Sequence, residues 1–344
     1  MKTPNNPDPS PDPAPAGRQA MHPWSIWAAL ITVYVIWGST YLAIRFAIES
    51  LPPFTMSGVR FVFAGAVLYA WRRARGDAAP SGRQWRSAAI AGLFLLAGGN
   101  GGVVWAEQRV VSGVAALLIG TVPLWMVLID ALRPKNPRRP GWKAGLGVLA
   151  GFAGVALLIG PSWSGNGVGH VDRIGALAVI LGALLWSIGS LYSRNAELPS
   201  SPLLATSMEM ITGGAGLLAL GVMGGEWTRL DAGAVSLRSL LAFGYLVVFG
   251  SWVAFTAYTW LLRAAPTPLV STYAYVNPLV AIVLGHVLAG EPLTARTLLA
   301  AAIIVGSVAL ITAVRPGEGE REAQPGGECG PRQLAPAEQA RGMD

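Results

Sequence analysis

Apolar residues run in ten stretches of about 18 to 22 positions, each long enough to cross the hydrocarbon core of a bilayer as a helix. The spans predicted are 24–46, 54–71, 86–106, 114–132, 143–160, 174–192, 203–223, 237–261, 267–288 and 294–314. The second five repeat the first five. Trp37, Arg45, Pro53 and Gly65 are matched by Trp186, Arg194, Pro202 and Gly214 at a spacing of 149 residues. Trp105, Pro123, Leu124 and Gly151 are matched by Trp260, Pro278, Leu279 and Gly306 at a spacing of 155, so a short insertion separates the two blocks. A unit with an odd number of crossings must be followed by one that enters from the opposite side, and such inverted repeats build many secondary transporters. The predicted fold is therefore an all-α membrane protein of ten transmembrane helices in two inverted five-helix repeats, 24–160 and 174–314, between tails 1–23 and 315–344.

Polar positions between the spans set the orientation. The loop after the second span carries Arg72, Arg73, Arg75 and Arg83, with Arg86 at its edge. The loop after the fourth carries Arg133, Lys135, Arg138, Arg139 and Lys143. The alternate loops hold few basic residues, each with an acid close by: Arg109 with Glu107, Arg173 with Asp172, Arg229 with Glu226 and Asp231, Arg296 with Glu291. Basic short loops stay on the cytoplasmic side, so both termini are predicted to be cytoplasmic in a multi-pass protein of the inner (plasma) membrane. The second half shows a weaker bias, Arg194 and Arg263, and the first half sets the topology. Both tails are rich in proline and polar residues and are predicted to be disordered. No short apolar run directly follows a basic start, so a cleaved signal peptide is not expected.

Composition removes other classes. Hydrophobic residues make up 53% and charged residues 12%, with a mean hydropathy of +0.49, against roughly 25% charged residues in a soluble domain. The net charge of +7 sits in short loops between apolar spans rather than on a basic face, so membrane topology explains it and nucleic acid is not an expected partner. The one cysteine, Cys329, lies in the C-terminal tail, which leaves no disulfide framework and no cysteine metal site.

Glycine and proline mark where helices approach or break. Gly141, Gly145, Gly147, Gly151 and Gly154 recur at short spacings through the fifth span, a pattern for close helix packing where lipid supplies no hydrophobic drive. Gly98, Gly99, Gly101 and Gly102 surround Asn100 in the third span; each weakens a helix by about 1 kcal/mol relative to alanine and together they leave room beside the amide. Pro123 and Pro278 are repeat partners near the middle of the fourth and ninth spans and are predicted helix breaks. Thr272, Tyr273, Tyr275 and Asn277 gather beside the second. Interrupted helices in corresponding places of two inverted halves point to a central binding site. Trp37, Asn100, Trp105, Trp186, Tyr273, Tyr275 and Asn277 are the candidate substrate-binding residues, the alternative being a structural kink whose neighbours satisfy it.

The segments IWGSTYLAIRFAIESLPPFTMSGVRF, GGNGGVVWAEQRVVSGVAALLIGTVPL and STYAYVNPLVAIVLG followed by GEPLT resemble the EamA family of the drug/metabolite transporter superfamily, and within it the YedA-like inner-membrane exporters. The resemblance covers roughly residues 25–314. It implies a ten-helix exporter of small metabolites, amino acids or drug-like solutes, with a central cavity built mainly by the first, third, fourth, sixth, eighth and ninth helices. One departure is that Glu291, after the ninth span, has no acidic counterpart after the fourth, where the chain reads Arg133, Pro134, Lys135, Asn136.

No phosphate-binding G-x-x-x-x-G-K-[ST] run occurs, and the glycine-rich stretch 160–169 lacks its lysine, so an ATP-driven pump is not predicted. Of the three histidines His286 alone lies inside a span. A membrane-embedded enzyme would need clustered His, Asp, Glu, Cys or activated Ser at membrane depth, and a channel-like facilitator a ring of like polar groups. Neither pattern is evident. The expected partners are a small-molecule substrate and membrane lipid, with no cofactor, no metal and no catalytic residue.

Two charges lie within spans. Arg60 and Glu209 occupy matching repeat positions and therefore sit near opposite membrane faces, too far apart to pair. A buried charge without a partner is expensive. Glu107 is the candidate partner for Arg60 and Arg263 for Glu209, either as latches closing in turn during alternating access or as purely structural ion pairs.

Overall fold

The computed structural model describes residues 23–132, 142–160, 171–265 and 267–313. Both tails, residues 133–141 with the basic loop and Gly141, and the glycine-rich stretch after Gly160 lie outside the described residues, as does the side chain of Arg263.

Among the described residues all regular secondary structure is helical. In order, α1 is Pro23–Ala47, α2 Pro53–Ala74 and α3 runs over Gly82–Ala106. Helix α4 is made of Ser112–Ile119 and Val122–Leu132, α5 is Trp142–Ile159, α6 Arg173–Ser193 and α7 Pro202–Met223. Helix α8 runs from Leu237 to Ala264, α9 is made of Thr267–Val270 and Tyr273–Ala289, and α10 is Ala295–Ala313. Among the described residues nine of these are long and apolar enough to cross a membrane; Tyr273–Ala289 is a shorter apolar helix. Large apolar side chains such as Leu149, Leu177, Val283 and Val287 are exposed, as a lipid-facing surface requires.

Three pairs of repeat-related helices pack against each other, antiparallel. Along α5 and α10, Gly147 meets Ile311, Gly151 meets Ser307 and Gly154 meets Ile304. A β-carbon on Gly151 would lie 2.7 Å from the Ser307 hydroxyl, so the glycines admit the facing backbone. Gly145 has open space beside it and takes no part in this contact. Helices α2 and α7 cross the same way, with Gly58 against Leu218 and Gly65 against Ser207 and Met210. In α4 and α9, Gly113 meets Ile282 and Gly120 meets Pro278.

Carboxylates from one helix end cap the start of its antiparallel partner. Helix α2 begins with Pro53, which lacks an amide, so its first backbone donors are Phe54 and Thr55. Glu226, just past α7, accepts from the Phe54 amide at 3.1 Å, the Thr55 amide at 2.7 Å and the Thr55 hydroxyl at 2.8 Å. At the other end Asp77, just past α2, takes a hydrogen bond from Ser201, which precedes Pro202 at the start of α7. Asp77 and Glu226 are separated by the repeat spacing of 149. Glu291, just past α9, caps α4 likewise, accepting from the Ser112 amide at 2.9 Å, the Ser112 hydroxyl at 2.8 Å and the Gly113 amide at 3.1 Å. A carboxylate at a helix N-terminus satisfies orphan amides and complements the dipole.

The prolines act differently from each other. Helix α4 is interrupted at Gly120 and Thr121, with Pro123 in the first turn of the second piece, where a missing amide costs nothing. Helix α9 runs through Pro278 without interruption, and its break falls earlier, at Ser271 and Thr272. The expected break at Pro278 is corrected accordingly: the proline sits only five residues into the helix, so its ring opposes a carbonyl of the opening turn. The Thr272 hydroxyl donates to Leu269 O at 2.6 Å at the actual break. In α3 and α8 the glycine-containing middles widen instead of breaking: Leu93–Asn100 and Leu246–Val253 are each an eight-residue π-helix. Such segments are rare and frequent at functional sites.

Candidate functional site

Trp37 stands at the middle of α1 and is packed by rings from two other helices. Its ring centroid is 5.2 Å from Phe255, 5.0 Å from Tyr258 and 5.3 Å from Tyr273. Tyr258 and Tyr273 meet edge to face at 5.5 Å and share a hydrogen bond. One helical turn toward the N-terminus of α1, the Tyr34 hydroxyl bonds the Thr272 hydroxyl at the break in α9, and Thr272 also bonds Tyr275. Buried Leu30, Val33, Leu261 and Val270 fill the space below. Helices α1, α8 and α9 are thus sealed to one another over the half of the bundle that begins at Trp24.

Trp186, the repeat partner of Trp37, lies on α6 against the π-segment of α3. A β-carbon on Gly99 would stand 2.8 Å from the Trp186 ring and one on Gly98 2.7 Å from Leu185. The glycines flanking Asn100 therefore make room for Trp186 and its neighbour. Trp186, Trp252 and Phe255 pack on the core formed by Phe61, Leu96, Met210 and Leu217, so Phe255 joins the aromatic wall around Trp37 to the core on which Trp186 rests. Asn100 ends the π-segment and Asn277 is 7% exposed on α9; the amide oxygen of each is buried without a hydrogen-bond partner. An unpaired amide oxygen at membrane depth costs free energy unless a ligand or water supplies a donor. Trp105 stands apart, at the end of α3, with the Arg109 guanidinium 4.9 Å from its ring centre.

Arg60 is 3% exposed and faces the π-segment of α8. Its Nε donates to the Ser251 hydroxyl at 3.0 Å, and that hydroxyl bonds Leu246 O, five residues back, at 3.1 Å. The guanidinium lies 4.5 Å from the Phe61 ring centre, and Nη1 has no partner. The expected pairing with Glu107 is not formed: both Glu107 oxygens are buried without a hydrogen-bond partner. Helix α2 instead directs Arg60 at α8. Glu209 receives a hydrogen bond from Ser193 at 3.3 Å, across α6 and α7; its expected partner Arg263 has its side chain outside the described residues.

At the far end from Trp24, Arg45 bridges to Glu291 at 2.9 Å. A cleft of about 420 Å³ opens there, lined by Arg45, Glu49, Glu107, Gln108, Arg109 and Val111 among others. Glu107 is 5% exposed and stands one residue beyond α3. Burial pushes its carboxyl well above the ordinary carboxylate range, Glu291 raises it further, and Arg45 opposes. Arg296, also at that end, donates to the C-terminal carbonyls of α5 at Leu157, Leu158 and Gly160.

Sequence reasoning missed Tyr34, Phe255, Tyr258, Trp252 and Ser251. The polar and aromatic character of α8 was on view in FTAYTW, and the i, i+3 spacing of Phe255 and Tyr258 places both on one face. The caps Asp77 and Glu226 carried a clearer signal, the repeat spacing itself.

Comparisons with known proteins agree with this architecture. The EamA-like transporter family matches residues 23–160 and 173–313, twice along the chain. The inner membrane transporter YedA of Escherichia coli K12, uncharacterized, is 41% identical over 289 residues, covering 83% of this chain and 90% of that one. The uncharacterized transporter YoaV of Bacillus subtilis is 24% identical over 81% of this chain and 94% of its own. One solved crystal structure shares the fold, with a TM-score of 0.57 at 23% identity over 84% of this chain and 97% of that one. The chain belongs to the EamA-like transporter family.

Proposed function

We propose that this membrane transporter is a secondary exporter that moves small metabolites, amino acids or drug-like solutes by alternating access between its two five-helix halves. The observation that carries the reading is the sealed contact of Trp37, Tyr258 and Tyr273, with the Tyr34–Thr272 bond, at one half of the bundle, and an open cleft beside Arg45 at the other. Antiparallel packing of α2 on α7, α4 on α9 and α5 on α10 supports ten crossings in two inverted repeats. The buried amide oxygens of Asn100 and Asn277 beside an aromatic wall suit an amphipathic solute bearing a hydrogen-bond donor. With Arg72, Arg73, Arg75 and Arg83 at the other end of α2 from the cleft, the sealed half faces the cytoplasm, both termini are cytoplasmic, and the cleft opens outside.

The test is a metabolite comparison of medium and cytoplasm between cells lacking and overproducing the protein, followed by efflux of the changed solutes from proteoliposomes. Release from protein-containing vesicles without chemical conversion is expected; conversion of the solute would overturn the reading in favour of an enzyme. Reporters fused after Gly76 are expected in the cytoplasm and those at Gly225 outside, and the reverse would invert the orientation.

A further inference from the structure

The acid at the floor of the cleft has no role in the packing just described. Glu291 uses its acceptor positions on Arg45, the Ser112 amide and hydroxyl, and the Gly113 amide. Glu107 beside it uses none, although both its oxygens are buried. An ionised carboxylate held without a single donor is far more costly than a neutral one. Arg45 is the cation within electrostatic reach of both acids, so one positive charge serves two carboxylates. Among the described residues the other polar groups facing the site are the Tyr41 phenol, one turn from Arg45 on α1; Glu49 and Gln108 at the cleft rim; Arg109, engaged with Trp105; and His286, whose Nδ1 lies 2.9 Å from Glu291 O. None of them bonds Glu107.

We propose that Glu107 is the proton-binding site of this transporter, holding its proton in the conformation described and exchanging it with water in the cleft when Arg45 leaves Glu291. The step is a single ionisation: the Glu107 O–H bond breaks, the proton passes to cleft water, and the carboxylate left behind is met by the Arg45 guanidinium. Arg45 is a third exposed, free enough to swing, and lies on the same helix as the Trp37 seal. Movement of α1 therefore links the proton site to the closed half. The second half has Leu262 at the corresponding position, so the repeat does not duplicate this carboxyl. That the proton is coupled to solute movement rests on the transporter reading; the site itself does not.

Carbodiimide labelling of the purified wild-type protein in vesicles tests the site without any solute, because the reagent modifies protonated carboxyls in apolar surroundings. Label mapped by mass spectrometry to Glu107, absent from Glu291, and lost at alkaline pH is expected. Label on Glu291 instead, none on Glu107 at any pH, or protection of Glu107 by sodium ions at fixed pH would overturn the assignment. The infrared band of protonated carboxyls is expected to lose one component in Glu107→Gln and to keep that component in Glu209→Gln; a band unchanged by Glu107→Gln would refute the assignment. Coupling is then read in cells: solute release by wild type should change severalfold between acidic and alkaline media, and release by Glu107→Gln should stay flat. A labelled Glu107 with pH-independent release by wild type would refute coupling while leaving the site and the transporter reading standing.

Discussion

Replacing Glu226 should cost stability, and the amount follows from what it holds. Its carboxylate accepts from two backbone amides and one hydroxyl at the start of α2, and it is 5% exposed. Leaving a buried donor unpaired costs about 1 to 3 kcal/mol. With Glu226→Ala two amides lose their acceptor, but this end of the helix is near water, so we take the low end for each and add about 1 kcal/mol for the lost cap and dipole interaction. The sum is about 3 kcal/mol. Glu226→Gln keeps one acceptor oxygen and should cost about 1 to 2 kcal/mol. At roughly 2 °C per kcal/mol for a chain of this size, thermal unfolding in detergent, followed by the loss of a monodisperse peak, should fall by about 6 °C for alanine and about 3 °C for glutamine. Equal losses in the two variants, or an alanine loss below about 1 °C, would refute the cap argument.

Gly151→Leu should collapse the yield of folded protein, because Ser307 and Leu124 occupy the space its side chain needs, whereas Gly145→Ala, with nothing beside it, should be tolerated; membrane-fraction yield distinguishes them. Asn277→Ala or Asn100→Leu should abolish solute release while leaving the amount of protein in the membrane unchanged, as measured by release and immunoblot on the same cells. The two loop carboxylates should give opposite pH dependence. Glu107 has its proton affinity raised on folding, so its contribution to stability is greatest below the ordinary carboxylate value and is lost as pH rises toward the raised one. Asp77, lowered first by the hydrogen bond it accepts from Arg72 and then by that from Ser201, contributes above the ordinary value and loses that contribution as pH falls. Unfolding midpoints of wild type, Glu107→Gln and Asp77→Asn across pH should separate the two signs.

The duplication and the apolar spans, nine of them long enough to cross a membrane among the described residues, were legible because hydropathy and spacing act over many residues, and errors at single positions cancel. Gly147, Gly151 and Gly154 were readable as a packing face for the same reason. What was hidden depends on local geometry. Pro278 reads as a break, yet the helix runs through it, while the break at Ser271 and Thr272 carries a hydroxyl bond that no periodicity announces. Gly98 and Gly99 signal weakness in α3, but whether a helix answers with a break or a π-segment depends on what packs against it, here Leu185 and Trp186. The wall around Trp37 draws Phe255 and Tyr258 from a helix more than two hundred residues away in sequence. Arg60 was singled out by its charge alone, and its partner proved to be a serine offered by a π-turn rather than an acid.

Alternating access requires the seal between α1 and α9 to open in every cycle. With Cys329 replaced by serine, Tyr34→Cys and Thr272→Cys together place two thiols across the contact that the tyrosine and threonine hydroxyls now make. A short bifunctional thiol reagent with a reducible link should join them, stop solute release, and allow it to resume on reduction, while each single variant is unaffected by the reagent. Undiminished release with the two helices fully cross-linked would contradict the account.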